Sequence, residues 1–295
     1  MPNSKIHSLA YIEDGAEIGK NVTIEPFAVI KKNVILKDNV VIKSHAYIDG
    51  FSTIGEGSVI YPSASIGTKT QDLKFKGEKT FVTIGKNCEI REYVTINSSC
   101  QEGSIVSVGD NCLIMAYCHI AHNCTVGNRV IMSNNATLAG HVDVEDFAII
   151  SGLTAVHQFS RIGSHAMVGG MSRITHDVPP YTIGAGSGLY KFGGLNLIGL
   201  KRHGFPLRVR QELSKAFRFL FKSDLSPKEA LAITEKQCEP FPEIQHWLSF
   251  CRKSKRGLIG LQENGSYDES SLQLEDEENS QLSSSSMSAI HKVNF

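Results

Sequence analysis

A six-residue repeat runs through the first 174 residues of the chain. Every sixth position from Ile6 to Ile66 is isoleucine or leucine, and the same frame resumes at Ile84 and continues to Ile174. Among the 29 positions of this frame, the ones that are not apolar are Asp72, Glu78 and Glu102. A period of six fits neither the turn of an α-helix nor the alternation of a strand, so it indicates an array of structural repeats.

The residue four places after each large aliphatic is usually small, namely alanine, valine, serine or cysteine. If one hexad forms a short strand and a corner, three hexads close a triangular coil, and the coils stack about 4.8 Å apart. The large and the small residue would both point inward. The repeat therefore predicts a mainly β fold, a left-handed parallel β-helix of hexapeptide repeats with about nine or ten coils.

Cysteine often occupies the small position of the repeat. A small apolar residue buried in a reducing compartment is the simplest role for such a side chain. We therefore expect core positions, and neither disulfides nor metal ligands, for five of the seven cysteines: Cys88, Cys100, Cys112, Cys118 and Cys124.

Three segments are predicted along the chain. Residues 1–190 form the β-helix, and a Pro-Pro break at 177–180 precedes a C-terminal α-helical domain at 191–262, where apolar residues recur at helical spacing. This helical segment carries fourteen basic and six acidic side chains, and a basic helical face suggests an acidic partner. Residues 263–295 are acidic and serine-rich, and their low apolar content predicts a disordered tail.

The composition argues against a membrane protein. No apolar run is long enough to span a bilayer, and residues 1–10 lack the layout of a signal peptide. We therefore expect a cytoplasmic protein without a transmembrane segment. The formal net charge is zero, and no nucleic-acid partner is predicted.

Two stretches interrupt the repeat, at residues 68–83 and 97–107. Both keep the register of six but lose the inward aliphatic residues, so both are predicted to leave the rod as loops. Loops on a rigid scaffold are common places for binding a ligand.

Three histidines are predicted to lie on one corner of the rod. Because eighteen residues return the chain to the same corner, His122, His141 and His157 fall on three successive coils. Gly140 and Gln158 lie in the same column as His122. Three imidazoles on one ridge indicate a functional site.

The pattern alone leaves two chemistries open. Imidazoles are common zinc ligands, and some trimeric β-helices gather three of them between subunits. Alternatively, one histidine acts as general base in acyl transfer and a backbone N–H stabilises the oxyanion. Gly140, one coil above His122 and without a side chain, suits the donor role, and we favour acyl transfer.

Longer strings in the chain closely resemble the bacterial acyl carrier protein–UDP-N-acetylglucosamine O-acyltransferase family, which opens lipid A biosynthesis. The resemblance extends from about residue 5 to residue 259. It is carried by His119-Ile120-Ala121-His122-Asn123-Cys124-Thr125-Val126-Gly127-Asn128, Asn134-Asn135-Ala136-Thr137-Leu138-Ala139-Gly140-His141-Val142, Ala155-Val156-His157-Gln158-Phe159, Gln71-Asp72-Leu73-Lys74, Asp177-Val178-Pro179-Pro180-Tyr181 and Gly199-Leu200-Lys201-Arg202.

The resemblance implies a role for each matching residue. His122 matches the general base that deprotonates the sugar 3-hydroxyl, and Gly140 matches the oxyanion donor. Gly170 matches the position that limits acyl length, and its lack of a side chain implies a long acyl chain. Residues matching those that bind the sugar, phosphate or nucleotide are Asp72, Lys74, His119, His141, His157, Gln158, Asn196 and Arg202.

The resemblance also implies the partners: a homotrimer, acyl carrier protein, UDP-N-acetylglucosamine, and no cofactor, because the acyl thioester is itself a substrate. The acidic carrier protein is expected to meet basic residues of the helical segment, namely Arg208, Arg210, Lys215, Arg218 and Lys222.

Two positions depart from the family pattern. Asn123 stands beside the base histidine where many members have aspartate, so it can orient the imidazole but cannot offset its positive charge. No histidine occurs near Gly188, where some relatives have one at the end of the acyl tunnel.

Four other functions remain open. The sister N-acyltransferase carries a separate N-terminal domain, whereas here the hexads begin at Ile6. A coenzyme A-dependent acetyltransferase, a trimeric zinc carbonic anhydrase and a β-helix without catalytic activity are more distant alternatives.

Overall fold

A computed structural model describes residues 4–261, and the predicted disordered tail at 263–295 lies outside the described residues. The chain forms many very short strands, nearly all six residues apart, followed by four helices. The strands are β1 (Lys5–Ile6), β2 (Tyr11–Ile12), β3 (Glu17–Ile18), β4 (Thr23–Ile24), β5 (Val29–Ile30), β6 (Ile35–Leu36), β7 (Val41–Ile42), β8 (Tyr47–Ile48), β9 (Phe51–Ile54), β10 (Val59–Ile60), β11 (Ser65–Thr68), β12 (Phe81–Ile84), β13 (Glu89–Ile90), β14 (Thr95–Asn97), β15 (Ile105–Val108), β16 (Leu113–Ile114), β17 (His119–Ile120), β18 (Thr125–Val126), β19 (Ile131–Met132), β20 (Thr137–Leu138), β21 (Asp143–Val144), β22 (Ile149–Ile150), β23 (Ala155–Val156), β24 (Arg161–Ile162), β25 (Met167–Val168), β26 (Arg173–Ile174), β27 (Thr182–Ala185) and β28 (Lys191–Leu195).

These strands form three sheets, which are the three faces of a rod. The sheets contain eleven, nine and eight strands, and in the regular coils each strand pairs in parallel with the strand three places further along the chain. Lys5 pairs with Thr23 and Thr23 with Val41, so the register advances by one coil of eighteen residues. This is the left-handed parallel β-helix that the hexapeptide repeat predicted.

The interior of the rod contains the two residue types that the repeat placed there. From the second coil onward, the aliphatic positions from Ile24 to Ile174 are almost fully buried, and so are small residues such as Ala28 and Ala64. Four of the five cysteines assigned to the core are buried inside the rod: Cys88, Cys112, Cys118 and Cys124. Cys100 is the exception, and its position is described with the site.

The corners require an unusual backbone conformation. Among residues 4–261, twenty residues other than glycine have φ near +60°. They stack in three columns, which we call the first, second and third corners. The first contains Asn21, Asn39, Asn87, Asn111, Arg129, Phe147, His165 and Tyr181; the second Phe27, His45, Ser63, Tyr93, Tyr117, Asn135, Leu153 and Met171; the third Asn33, Asn123, His141 and Phe159.

The two predicted loops leave the rod where expected but return to it earlier than predicted, at Phe81 and Ile105. The first loop connects β11 to β12, and the second loop connects β14 to β15. β11 ends in a register shift between Ile66 and Thr68. The loops are joined to each other by a buried hydrogen bond from Thr70 N to Ser98 Oγ, 3.1 Å long.

Four helices follow the rod: α1 (Leu197–Arg202), α2 (Leu207–Phe221), α3 (Pro227–Gln237) and α4 (Pro242–Arg252). At the start of α3, Ser226 and Glu229 form a capping box, and Pro227 occupies the first turn. The division at residue 190 stays a prediction, since β28 at Lys191–Leu195 still pairs antiparallel with β27. None of the helices within residues 4–261 is both long enough and apolar enough to cross a membrane.

The helices pack around Trp247 and Phe250 and contact the rod at its first corner. His165 stacks on Phe147 with ring centroids 4.6 Å apart. Nearby, His246 of α4 bridges to the rod, because its Nε2 lies 2.9 Å from Glu145 Oε2. The helical segment thus covers the first corner at Phe147, His165 and Tyr181. The other residues of that corner are exposed: Asn21, Asn39, Asn87, Asn111 and Arg129.

Candidate active site

His122 lies at the third corner, between β17 and β18, and packs directly on Gly140 of the next coil. A Cβ atom built on Gly140 would lie 2.2 Å from His122 Cε1 and 2.5 Å from Nε2. Gly140 is buried beneath the imidazole. Only glycine leaves room for the ring in this position, so the placement of the imidazole, and not the backbone fold, requires glycine there.

Asn123 fixes the orientation and the tautomer of the His122 ring. Nδ1 of His122 lies 3.0 Å from Oδ1 of Asn123, and the amide oxygen can only accept a hydrogen bond. In the neutral ring Nδ1 therefore carries the proton, and Nε2 has the lone pair that a general base needs. Asn123 can adopt this corner conformation, with φ of 57°, because asparagine tolerates the left-handed region.

Asp72 approaches His122 from the first loop. Its Oδ1 accepts a hydrogen bond of 2.8 Å from Lys74 N, and its Oδ2 lies 3.8 Å from His122 Nε2, too far for a direct hydrogen bond. Partial burial raises the pKa of Asp72, but hydrogen bonds from Lys74 N–H and the Cys100 thiol lower it overall. A carboxylate charge is therefore held beside the imidazole.

Cys100 belongs to this site, and its assignment to the core was wrong. Its Sγ lies 2.9 Å from Asn123 Oδ1 and 3.5 Å from His122 Nδ1, and the residue is half-buried. The physical reason is that the second loop leaves the rod before Cys100, so the inward slot of the hexad does not exist there. Burial, together with the Asp72 carboxylate, raises the pKa of the Cys100 thiol to about 11.

Two further histidines stand close to His122. The ring of His141 lies edge-on to that of His122 with centroids 5.2 Å apart, and it stacks on Phe159 at 4.7 Å. His119 has its Nδ1 2.7 Å from Thr95 Oγ1. Burial lowers the pKa of both His119 and His141, and repulsion by His122 lowers each further. Both rings are therefore held in their neutral form at neutral pH.

The remaining predicted ligands of the ridge lie at its edges. His157 and Gln158 occupy the corner one coil above Gly140, where Nδ1 of His157 lies 3.1 Å from the Gln158 carbonyl oxygen. Lys74 is exposed on the first loop. Their assigned roles stay predictions.

Three predicted residues lie away from this ridge within one chain. Asn196 is buried, caps α1 through its Oδ1 and donates from Nδ2 to the His165 carbonyl oxygen at 3.1 Å. Arg202 is exposed in the last turn of α1. Gly170 is exposed beside the second corner, where an added Cβ would lie 3.3 Å from Gly152 O. Their roles as nucleotide and acyl-length residues stay predictions.

A separate cleft of about 540 Å³ lies between the rod and α4. Its lining includes Asp143, Glu145, Arg161 and His246, and His122 does not line it. The histidine ridge is marked as the candidate site by its chemistry, and this cleft is a separate feature.

The arrangement has the parts needed for acyl transfer. Nε2 of His122 is available as a base, and no acceptor within residues 4–261 is hydrogen-bonded to the N–H of Gly140. The Gly140 carbonyl, by contrast, accepts a hydrogen bond from Phe159 N at 3.2 Å. A base and a backbone donor thus lie at one corner, as oxyanion stabilisation requires.

Two family models match the chain. One, described as UDP N-acetylglucosamine O-acyltransferase, domain 2, matches residues 177–259. The other, described as bacterial transferase hexapeptide (six repeats), matches residues 1–32 and 105–140.

Curated proteins with the name acyl-[acyl-carrier-protein]–UDP-N-acetylglucosamine O-acyltransferase match most of the chain. The protein from Chlamydia caviae is 55% identical over 256 residues, which cover 86% of this chain and 91% of that protein. The protein from Chlamydia abortus is 53% identical over the same shares.

Solved structures give the same result. The UDP-N-acetylglucosamine acyltransferase of Bacteroides fragilis is 40% identical with a TM-score of 0.83, covering 86% of this chain and 99% of that chain. The enzyme of Francisella novicida is 36% identical with a TM-score of 0.84, covering 86% and 93%.

Proposed function

The chain belongs to the acyl-[acyl-carrier-protein]–UDP-N-acetylglucosamine O-acyltransferase family, and from this premise we propose that His122 is the general base of the reaction. The enzyme transfers a fatty acyl group from the carrier-protein thioester to the 3-hydroxyl of UDP-N-acetylglucosamine, the first step of lipid A biosynthesis. The observation that carries the proposal is the position of the His122 ring: its Nδ1 is hydrogen-bonded to Asn123 Oδ1, and its Nε2 packs against Gly140.

The reaction uses the two nitrogens of His122 differently. Nε2 removes the proton of the sugar hydroxyl as its oxygen attacks the thioester carbonyl, and a carbon–oxygen bond forms. The carbonyl oxygen becomes an oxyanion, which the N–H of Gly140 stabilises. The carbon–sulfur bond then breaks, and the imidazolium returns its proton to the departing thiolate.

Asp72 compensates for the missing aspartate beside the base. Asn123 holds the ring but has no charge with which to stabilise an imidazolium. The carboxylate of Asp72 lies 3.8 Å from Nε2 and its lowered pKa keeps it ionised. It therefore stabilises the charge that develops on the ring. A substrate hydroxyl between Nε2 and Asp72 would contact both.

The substrate-binding residues surround this base. His141, supported by Phe159, presents a flat surface and ring nitrogens to the sugar. Lys74, on the exposed loop, carries a positive charge suited to a diphosphate. Arg202 and Asn196 would reach the nucleotide of a neighbouring subunit, although the side chain of Asn196 first has to exchange its cap to Gly199 N.

A homotrimer would complete the site. The first corner is polar and exposed except at its C-terminal end, which the helices cover, and the third carries the ridge. The second is lined by exposed apolar side chains: Phe27, Tyr93, Tyr117, Leu153 and Met171. Leu73, in the loop beside His122, is also fully exposed. If the second corner of one chain packs on the third corner of the next, the contact covers the apolar side chains of one chain and the histidine ridge of the other. This contact is head-to-tail, and three copies close it into a ring. Gly170 would then face a neighbour's ridge.

The helical segment supplies the surface for the carrier protein. Of the five basic residues predicted there, Arg208 pairs with Glu239, Lys215 bonds to the Gln237 carbonyl, and Arg210 donates to the Phe205 carbonyl. Arg218 near the end of α2 and Lys222 just beyond it are both exposed, so these two side chains are the best placed to attract an acidic partner.

Both substrates are products of cytoplasmic metabolism, so we place the reaction in the cytoplasm.

The decisive experiment compares acyl donors and one variant. The purified full chain is assayed with UDP-N-acetylglucosamine and either carrier-protein or coenzyme A thioesters, and the position of the ester is determined by NMR. We expect a 3-O-acyl product from the carrier-protein thioester, formed at least about 100-fold more slowly by His122→Gln. A preference for acetyl-coenzyme A would contradict the proposal, as would a His122→Gln enzyme with more than about a tenth of the wild-type rate.

A further inference from the structure

The site contains a thiol, that of Cys100, to which the proposed reaction gives no role, and two imidazoles lie close to it. One donor atom each from Cys100, His122 and His141 lie within 4.8 Å of one another. All three residues are half-buried, so the cluster is shielded yet reachable from solvent. A thiol and two imidazoles are the donor types that select zinc over magnesium or calcium.

The distances in this cluster suit a tetrahedral ion. A zinc ion about 2.3 Å from sulfur and about 2.0 Å from nitrogen holds the two donor atoms roughly 3.5 Å apart. Cys100 Sγ and His122 Nδ1 are already 3.5 Å apart. A ring nitrogen of His141 lies within 4.8 Å of the other two donor atoms, so the ring has to move by at most about 1.5 Å to complete the set.

We propose that Cys100, His122 and His141 bind a zinc-class divalent cation, and that the bound ion switches the enzyme off. A fourth position remains for water or for the Asp72 carboxylate, which lies beside both Cys100 and His122. The metal is an inhibitor, and the acyl transfer itself proceeds without it.

Inhibition follows from the tautomer of His122. Without metal, Nδ1 donates its proton to Asn123 and Nε2 is the base. When the ion binds Nδ1, the single proton of the neutral ring moves to Nε2, and the thiol proton of Cys100 is released to solvent. Nε2 then has no lone pair with which to accept the hydroxyl proton. Only this consequence rests on the proposed function; the binding of the ion does not.

Binding can be measured without the reaction. The full chain is treated with a chelator, dialysed and titrated with Co²⁺, which gives a near-ultraviolet charge-transfer band when it binds thiolate. We expect one ion per chain, a band lost in Cys100→Ser, and weaker binding in His141→Gln. The control is Cys238→Ser, since Cys238 lies among the C-terminal helices and should leave the band unchanged. A wild-type chain without the band, or a band that survives in Cys100→Ser, would overturn the site.

Activity then tests the switch. Each protein is assayed with Zn²⁺ relative to its own chelator-treated rate, with Mg²⁺ as the comparison ion. We expect zinc inhibition that a chelator reverses, no effect of Mg²⁺, and a half-inhibiting zinc concentration at least about tenfold higher in Cys100→Ser. Equal zinc sensitivity in wild type, Cys238→Ser and Cys100→Ser would refute the switch. If no acyl transfer occurred under any condition, the proposed function would fail while the cobalt titration still decided the site.

Discussion

Gly140→Ala should inactivate the enzyme through its effect on a neighbouring side chain. The added methyl would lie 2.2 Å from His122 Cε1, whereas ordinary carbon contacts begin near 3.4 Å. The imidazole therefore has to move by more than about 1 Å, and a displacement of that size costs roughly 100-fold in rate. We expect kcat to fall by about that factor, which corresponds to ~2.7 kcal/mol of transition-state stabilisation.

The fold should tolerate this substitution. The backbone of Gly140 is not in the left-handed region, and the alanine N–H can still stabilise an oxyanion. The matched control is Gly193→Ala, where the nearest atom to an added methyl is Ile183 Cγ2 at 3.6 Å, an ordinary contact. Circular dichroism and the melting temperature should be near wild type for both variants, and only Gly140→Ala should lose activity.

A double mutant tests whether displacement of the imidazole is the whole effect of the added methyl. If the alanine acts only by displacing the ring, adding Gly140→Ala to His122→Ala should cause no further loss. A Gly140→Ala enzyme with more than about a third of the wild-type kcat, or fully additive losses, would refute the argument that His122 is the base and lies over Gly140.

Four further outcomes are expected. His122→Ala should lower kcat by about 10² to 10⁴-fold with an unchanged melting temperature, because an outward corner residue adds little to the core; a variant above a tenth of the wild-type rate would contradict the assignment. Reversing Arg218 and Lys222 to glutamate should raise KM for the carrier thioester and weaken its salt dependence, with KM for the sugar nucleotide unchanged; equal effects on both substrates would exclude this surface. Gly170→Met should shift the preference among carrier thioesters of graded length to chains a few carbons shorter, since each buried methylene contributes about 0.8 kcal/mol; an unchanged profile would show that Gly170 does not set the length. Burial of His165, together with a neighbouring histidine, lowers its pKa to about 4; because the unfolded chain then binds the proton more tightly, unfolding free energy should be highest above pH 6.5 and fall by about 3 kcal/mol towards pH 4, a slope that denaturant titrations should find reduced in His165→Phe.

The repeat was sufficient to predict the rod because each coil copies the last. Ile24 and Ile42 occupy the same position in successive coils, so the inward aliphatic frame fixes strand, register and core together. The same arithmetic placed His122 and Gly140 on neighbouring coils. It failed at Cys100, which keeps the frame in sequence but lies in a loop outside the rod.

The details of the site depend on contacts that spacing does not encode. The approach of Asp72 to His122 depends on the path of the first loop, which the hydrogen bond from Thr70 N to Ser98 Oγ ties to the second. A clue to Cys100 is present in the sequence, since the repeat predicts that residues 97–107 leave the rod. The sequence did not show that Asn196 caps α1, because an asparagine is equally suitable as a helix N-cap and as a nucleotide ligand.

The left-handed corners also determine how this chain can fold. Each such residue other than glycine costs roughly 1–2 kcal/mol in isolation, and the cost is offset only when a neighbouring coil supplies strand pairing and a covered interior. A single coil is therefore unstable, whereas adding a coil to an existing stack is favourable. Assembly should begin with a costly nucleus of a few coils and then extend along the axis, so a truncation that removes a whole coil should be tolerated better than one that ends within it.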